Sequence, residues 1–408
     1  MSRLGLVRRE PDYRRLLLAT LGSGAGTYLA ALALTVDIFD RTGSGKWVSA
    51  LLIADFLPII LIGLLLGPLV DRFSRRRLLV ASDLARVAIF AALPFAESAS
   101  AIVVLAALSG IATGFFRPAV YAGMPNLVSD DELPNANSLL QAAENLTWMI
   151  GPVLGGVLIA AQGPELAYWL NAASFLVSAV LLIRIPAQRL QAGTIESRGH
   201  WQDLGDGIRF VLGTRTLLAV LVVWNIVFIG NAAVNVGEVV LAKVSLGVGN
   251  VGFGLLVGMS GLGLTIGSIA ATSLLDRFGT RAGYACSIAL MGIGFGLAAV
   301  APTIALAMAG VLVGSLGNGV AVVCNALLVQ RGAPDELRGR VFTVIMSSNY
   351  AVFGLGMAAA GPLVDEFGAR WLWGGAGIAF LLGAATALLL VRGAEPSATA
   401  ELDDPVTA

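Results

Sequence analysis

The sequence predicts an all-α membrane protein of twelve transmembrane helices arranged as two homologous six-helix halves. Three observations carry this. The 408-residue chain is 57% hydrophobic and 13% charged, whereas a soluble domain carries about 25% charged residues. Its apolar residues fall into twelve runs of about 20, long enough to cross a ~30 Å hydrocarbon core as helices. The chain also repeats itself. Leu69-Val70-Asp71-Arg72-Phe73 returns as Leu274-Leu275-Asp276-Arg277-Phe278, and Phe175 as Phe380, both at an offset of 205. Asp131-Glu132-Leu133 returns 204 residues later at Asp335-Glu336-Leu337. A constant offset near half the length marks a duplicated unit. None of the runs shows the ten-residue alternation of a barrel, the other fold that satisfies its backbone in lipid.

The spans of the first half are expected at 16–39, 47–70, 77–98, 101–121, 137–161 and 164–186. Span one follows arginines as a signal peptide would, but it is too long for one and begins the repeat, so it is expected to stay. The second half repeats the pattern at 216–240, 250–274, 281–300, 303–329, 341–364 and 371–392. Glycines four apart (Gly110/Gly114, Gly151/Gly155, Gly254/Gly258, Gly263/Gly267, Gly310/Gly314) let helices approach closely in lipid. The domains are therefore 1–190, a polar linker 191–213, 214–395 and a disordered tail 396–408. Within the linker, Trp201, Leu204, Ile208 and Val211 form one apolar helical face, suited to lying in the headgroup plane.

Charge orients the chain. With the N-terminus inside, twenty of the 26 Lys and Arg residues face the cytoplasm and only Arg41, Lys46, Lys243 and Arg370 face outward. Arg86 and Arg117 lie within spans. That is a strong positive-inside bias, and it predicts a plasma (inner) membrane protein with both termini cytoplasmic.

Cys286, Cys324 and the single histidine, His200, form no metal-ligand cluster. Gly314–Gly319 (GSLGNG) lacks the Lys-Ser/Thr of a phosphate loop. No cofactor and no nucleic-acid partner is expected.

The loop GPLVDRFSRRR at 67–77 resembles the signature loop of the major facilitator superfamily, with Gly67, Asp71, Arg72, Arg75 and Arg76 matching and Ser74 in place of a usual Gly. The second copy keeps Asp276 and Arg277. The resemblance implies two six-helix bundles related by a pseudo-twofold axis along the membrane normal. It also implies that Asp71 caps the start of span eleven, stabilising a cytoplasm-closed state by about 1–2 kcal/mol. Gly151, Pro152, Gly155 and Gly156 resemble the fifth-helix motif of proton-driven exporters. Stretches 116–133, 203–218 and 333–342 are similar to the drug:proton antiporter-3 family, which includes macrolide-efflux proteins and the enterobactin exporter. In many drug antiporters the fourth-helix arginine would stand near Ser109. Here Arg117 lies about two turns away.

Charges inside spans are costly and functional by default. Asp55 is about eight residues into span two, roughly 12 Å along it, and is the first candidate for proton coupling. Glu144 and Asp37 follow, with an Arg117–Glu144 ion pair as the structural account of Glu144. Glu238 and Lys243 are expected at the outer rim. Spans one, four, seven and ten line the cavity by resemblance. Its candidates are Ser23, Thr27, Arg117, Trp224, Asn225, Asn231, Asn235, Asn318 and Asn325, with interhelical hydrogen bonding as the rival role of the amides.

The expected function is export of a hydrophobic or amphipathic small molecule, of drug or siderophore type, by rocker-switch alternating access with protons as coupling ion. A monomer in contact with membrane lipid is expected. The alternatives are a nutrient or lysophospholipid importer, a membrane sensor or an intramembrane enzyme. No nucleophile–base or metal constellation supports the enzyme.

Overall fold

The computed structural model describes residues 3–65, 73–191 and 200–390. Among them, twelve helices are long and apolar enough to cross a membrane. In chain order they are α1 (Pro11–Thr42), α2 (Gly45–Leu65), α3 (Arg75–Ala92), α4 (Ala99–Gly123), α5 (Leu133–Gln162) and α6 (Pro164–Ile183). The second half repeats them as α7 (Arg215–Val240), α8 (Asn250–Phe278), α9 (Thr280–Val300), α10 (Ile304–Gly332), α11 (Asp335–Phe367) and α12 (Ala369–Leu390). Short helices Arg3–Arg9, Ala187–Leu190 and His200–Gly213 lie outside the spans.

Helix ends follow local chemistry. Ser98 caps α4, its side chain accepting from Ala101 N, and Thr303 caps α10 by accepting from Leu306 N. Prolines occupy the first helical position of α1 and α6, where no amide hydrogen is missed. Gly163 (φ 80°) and Gly368 (φ 82°) end α5 and α11 in left-handed backbone that suits glycine, 205 residues apart like the rest of the repeat. The two signature loops differ here. Gly279 has φ 77°, while Ser74, its counterpart, has φ −60° and serves as the residue before α3. A residue with a Cβ does not need the left-handed turn and does not take it.

Observed helices outrun the expected spans at several ends, most at α1, α11 and the start of α5. Hydropathy marks the lipid-facing length, whereas backbone bonding continues into the interface. The linker helix forms and packs on α11 through part of its length. Val211 is buried and Ile208 is 41% exposed, and Gly207 approaches Arg340 O and Val344 on α11.

Glycine spacing does what lipid requires. A Cβ on Gly263 would stand 2.6 Å from Leu312 O, and one on Gly310 2.7 Å from Gly294 O, so α8 and α9 each meet α10 at backbone distance. The halves also repeat inside. Phe90–Phe175 and Phe295–Phe380 are equivalent ring pairs, each with centroids 5.6 Å apart.

The halves meet mainly through α5 against α8 and α2 against α11. They are locked together at the end of the molecule carrying Gly43, Gly163, Gly249 and Gly368. Arg41, Lys46, Lys243 and Arg370, the four cations expected on the outer side, all stand at this closed end.

Candidate functional site

Two cavities lie between the helices and share one wall. The first, about 290 Å³, sits inside the first half and is lined by Ser23, Thr27, Tyr28, Arg86, Arg117, Glu144 and Thr147 among others. The second, about 350 Å³, lies between the halves and is lined by Asn231, Asn235, Asn318, Phe228, Phe353 and Met357. Asp55 and Phe56 line both. Of the sequence candidates, Ser23, Thr27, Arg117, Glu144, Asp55, Asn231, Asn235 and Asn318 therefore line this pair of adjoining cavities.

Asp55 has neither an ion-pair nor a hydrogen-bond partner among the described residues. Beside it, the Phe56 ring meets Tyr350 and Phe353 edge-on at 5.4 Å each, and Phe228 packs on both at 6.0 and 5.6 Å. These rings come from α2, α7 and α11 and give the chamber an apolar wall with a carboxylate at its edge. Hydroxyl groups along α1 spend their protons on the helix itself, Thr27 Oγ donating to Ser23 O at 2.7 Å. Their oxygens remain available as acceptors.

The other carboxylate candidates are engaged. Arg117 Nη2 donates to Glu144 Oε2 at 3.4 Å and Tyr121 Oη to Glu144 Oε1 at 3.1 Å. Asp37 is buried and receives Arg41 through both its oxygens, at 2.6 and 3.1 Å, and Tyr168 Oη at 2.9 Å. Arg41 also reaches Ala96 O at 2.8 Å, so Asp37 joins α1, α6 and the α3–α4 turn.

Three cavity candidates stand elsewhere. Trp224 is buried against Tyr284 and Phe228. Asn225 bonds Ser348 on α11 at 3.0 Å. Asn325 is buried, with its Oδ1 unpartnered among the described residues. Their spacing along α7 and α10 was right for a stripe, but the stripe's rotation about the helix axis is set by packing. Lys243 is a rim contact, pairing Asp40 at 2.5 Å. Glu238 is not, since its Oε1 is buried and unpartnered among the described residues.

At the closed end, Asp365 on α11 reaches across the half boundary to the first turn of α2. It accepts from Gly45 N at 2.5 Å, Ser44 Oγ at 2.7 Å and Lys46 N at 3.3 Å. Those amides are the unpaired donors of a helix N-terminus, where a carboxylate is favoured. Ser49 Oγ also donates to Met357 O across the same seam. On the other seam, a Cβ at Gly156 would stand 2.6 Å from Asn250 O, and one at Gly254 2.6 Å from Pro152 O. The expected exporter motif thus divides. Gly151 and Gly155 meet Tyr28 and Leu29 of α1, while Pro152 and Gly156 meet the opposite half.

At the opposite end the signature loop is only partly seen, because Gly67, Asp71 and Arg72 lie outside the described residues. Arg75 Nη1 donates to Leu190 O at 3.0 Å and Arg76 Nη1 to Ile185 O at 3.3 Å, within their own half. Asp276 and Arg277 are exposed there, Arg277 over the Phe278 ring at 5.5 Å. The start of α11 receives no side-chain cap from its flanking Pro334.

Sequence reasoning missed Asp83, which pairs with the in-span Arg86 at 2.5 Å on α3. An acid and a base three residues apart in one span were the signal. It also missed Asp365, whose role depends on a contact with a residue 320 positions away.

A family model described as a transmembrane secretion effector matches residues 7–404. The multidrug efflux pump Tap of Mycolicibacterium fortuitum is 28% identical over 86% of this chain and 89% of its own length. A Bacillus amyloliquefaciens protein, BacE, described as a candidate bacilysin exporter, is 26% identical over 87% of this chain and 88% of its own. Among solved structures, a bacterial homologue of the iron transporter ferroportin in its inward-facing state matches with a TM-score of 0.74. That match is at 16% identity and covers 93% of this chain and 98% of that one.

Proposed function

The chain belongs to the transmembrane secretion effector family, transporters of the major facilitator type, and on that premise we propose that it exports amphipathic small molecules by rocker-switch proton antiport. Efflux is the activity carried in the names of its relatives. The single observation that carries the finer reading is Asp55, an unpaired carboxylate shared by two adjoining cavities, one within the first half and one between the halves. A carboxylate without a counter-ion in a low-dielectric chamber is costly. It is relieved by a proton or by a cargo group, and not by both at once. Competition for one site is what antiport requires.

With the N-terminus inside, as the arginine distribution favours, the closed end faces outward and the chamber opens to the cytoplasm. This is the loading state of an exporter. Cargo enters from the cytoplasm or inner leaflet, its apolar body on Phe56, Phe228 and Phe353 and its polar atoms on Asn231, Asn235 and Asn318. Rocking then separates the α2–α11 and α5–α8 seams. The Asp71 loop at the other end supplies the cap that holds the outward-open state.

The test is efflux of a lipophilic dye from cells expressing the protein, with and without a protonophore, and by Asp55→Asn. Export that survives collapse of the proton gradient would exclude antiport. Wild-type gradient-driven efflux by Asp55→Asn would remove that residue from the mechanism.

A further inference from the structure

One ion pair of the first half serves no purpose that packing explains. Asp83 is fully buried and Arg86 is 4% exposed, with Arg86 Nη2 donating to Asp83 Oδ1 at 2.5 Å. The guanidinium is clamped between Phe116 and Phe175, 4.3 and 4.2 Å from their ring centroids, and borders the same cavity as Asp55. Arg86 Nε is buried and without a hydrogen-bond partner among the described residues, and the Ser178 hydroxyl stands beside Asp83 Oδ2 without a hydrogen bond of full geometry.

The second half contains the same place without the charges. At the offset of 205, Ser82 becomes Ser287 and Phe90 becomes Phe295, and the equivalent ring pairs keep the same 5.6 Å separation. In that frame Asp83 is replaced by Ile288 and Arg86 by Met291, both fully buried. The fold therefore closes here with an apolar pair of similar size. Such replacements of a buried ion pair are often neutral or stabilising, so packing gives no reason to keep the charges. Buried ionisable residues within spans otherwise mark ion pathways and proton relays.

We propose that Asp83 and Arg86 form a second, buried proton site of this exporter, in series with Asp55 along the first-half cavity. This rests on the proton-antiport reading above. A hydronium ion in the cavity, which Arg86 lines, gives its proton to Asp83 Oδ2, the oxygen that Arg86 does not hold, leaving water behind and a neutral carboxylic acid. Arg86 keeps its charge, supported by the two rings, and its attraction turns toward the cavity carboxylates. Departure of the proton restores the pair. From the helices packed on α3, the pair meets Phe116 of α4 and Phe175 and Ser178 of α6, none of them charged. The charged groups on the shared cavity are Asp55, Arg117 and Glu144, the last two paired to each other. Arg189, on the short helix that also touches α3, is held by Glu10 and Asp12.

Infrared difference spectroscopy of the purified full-length protein, acidic minus alkaline, reads protonated carboxyl groups directly and needs no cargo. The expected result is a buried-acid carbonyl component that is lost in Asp83→Asn and retained in Asp55→Asn. The double variant D83I/R86M, carrying the second half's own residues, should remain monodisperse and lack the same component. A spectrum of Asp83→Asn identical to wild type overturns the inference while leaving antiport through Asp55 standing. Aggregation of D83I/R86M also overturns it, since the pair would then be structural. A wild type with no titrating buried acid, together with efflux indifferent to a protonophore, sinks the antiport reading itself.

Discussion

Removing the Asp365 carboxylate should open the closed end. Asp365→Ala deletes three hydrogen bonds that cross the half boundary, two of them from backbone amides of the first turn of α2. Loss of an N-terminal cap costs about 1 kcal/mol, in a range of about 0.5–2, and the lost charge at the positive helix end adds about 0.3–1. Asp365 is exposed, so salt screens the charge contribution and keeps it near the lower limit. The total is about 1–2 kcal/mol, a shift of about 5–30-fold in the ratio of outward-open to outward-closed molecules. Asp365→Asn keeps a capping oxygen and loses only the charge, so its shift should be about 2–5-fold. Spin labels on Glu97→Cys and Pro302→Cys, in the α3–α4 and α9–α10 turns of opposite halves, report the separation by pulsed electron resonance. Cys286 and Cys324 are replaced by Ser beforehand. Distance distributions identical in wild type, Asn and Ala variants would refute the reasoning, as would an Asn variant opening more than Ala.

Other expectations are as direct. Gly156→Leu and Gly254→Leu each force a side chain against backbone at the α5–α8 seam and should hold the closed end apart; overpacking of about 1–3 kcal/mol should abolish turnover, read as loss of dye efflux with normal membrane levels. Lys243→Gln should shift the same label distances by less than Asp365→Ala, because its partner Asp40 is 52% exposed and such pairs contribute about 0–1 kcal/mol; a shift equal to that of Asp365→Ala would make the ion pair the principal latch. Asn225→Leu removes the two interhelical hydrogen bonds that Asn225 exchanges with Ser348, each worth about 0.6 kcal/mol in membranes. It should lower thermal stability slightly and leave cargo preference unchanged, whereas Asn231→Leu should change the preference among dyes. Asp71→Asn should impair export while leaving the protein in the membrane, and unchanged efflux would remove the gate assigned to that loop.

The residues that were legible in sequence share a property. Span length, helix punctuation by Pro11, Pro164, Gly163 and Gly368, and glycine spacing are decided within a few residues by lipid thickness and backbone bonding. Asp55 was legible because one carboxylate in a long apolar run is costly whatever surrounds it. Asn325 and Trp224 do not line the two cavities described, because spacing identifies a helix face without saying which way it turns. Asp83 escaped although the 205-residue offset already sets it against Ile288, because only the matching ring pairs show that the two places are packed alike.

The sequence by itself determined twelve helices, a duplication and an asymmetric charge distribution, since each follows from local pattern against a bilayer of fixed thickness. Tertiary structure alone decided which end is shut, that Asp365 caps a helix of the other half, and that Arg86 lies between two phenylalanines. Those contacts join residues far apart in the chain, and their free energy exists only once helices have chosen their neighbours and their rotation.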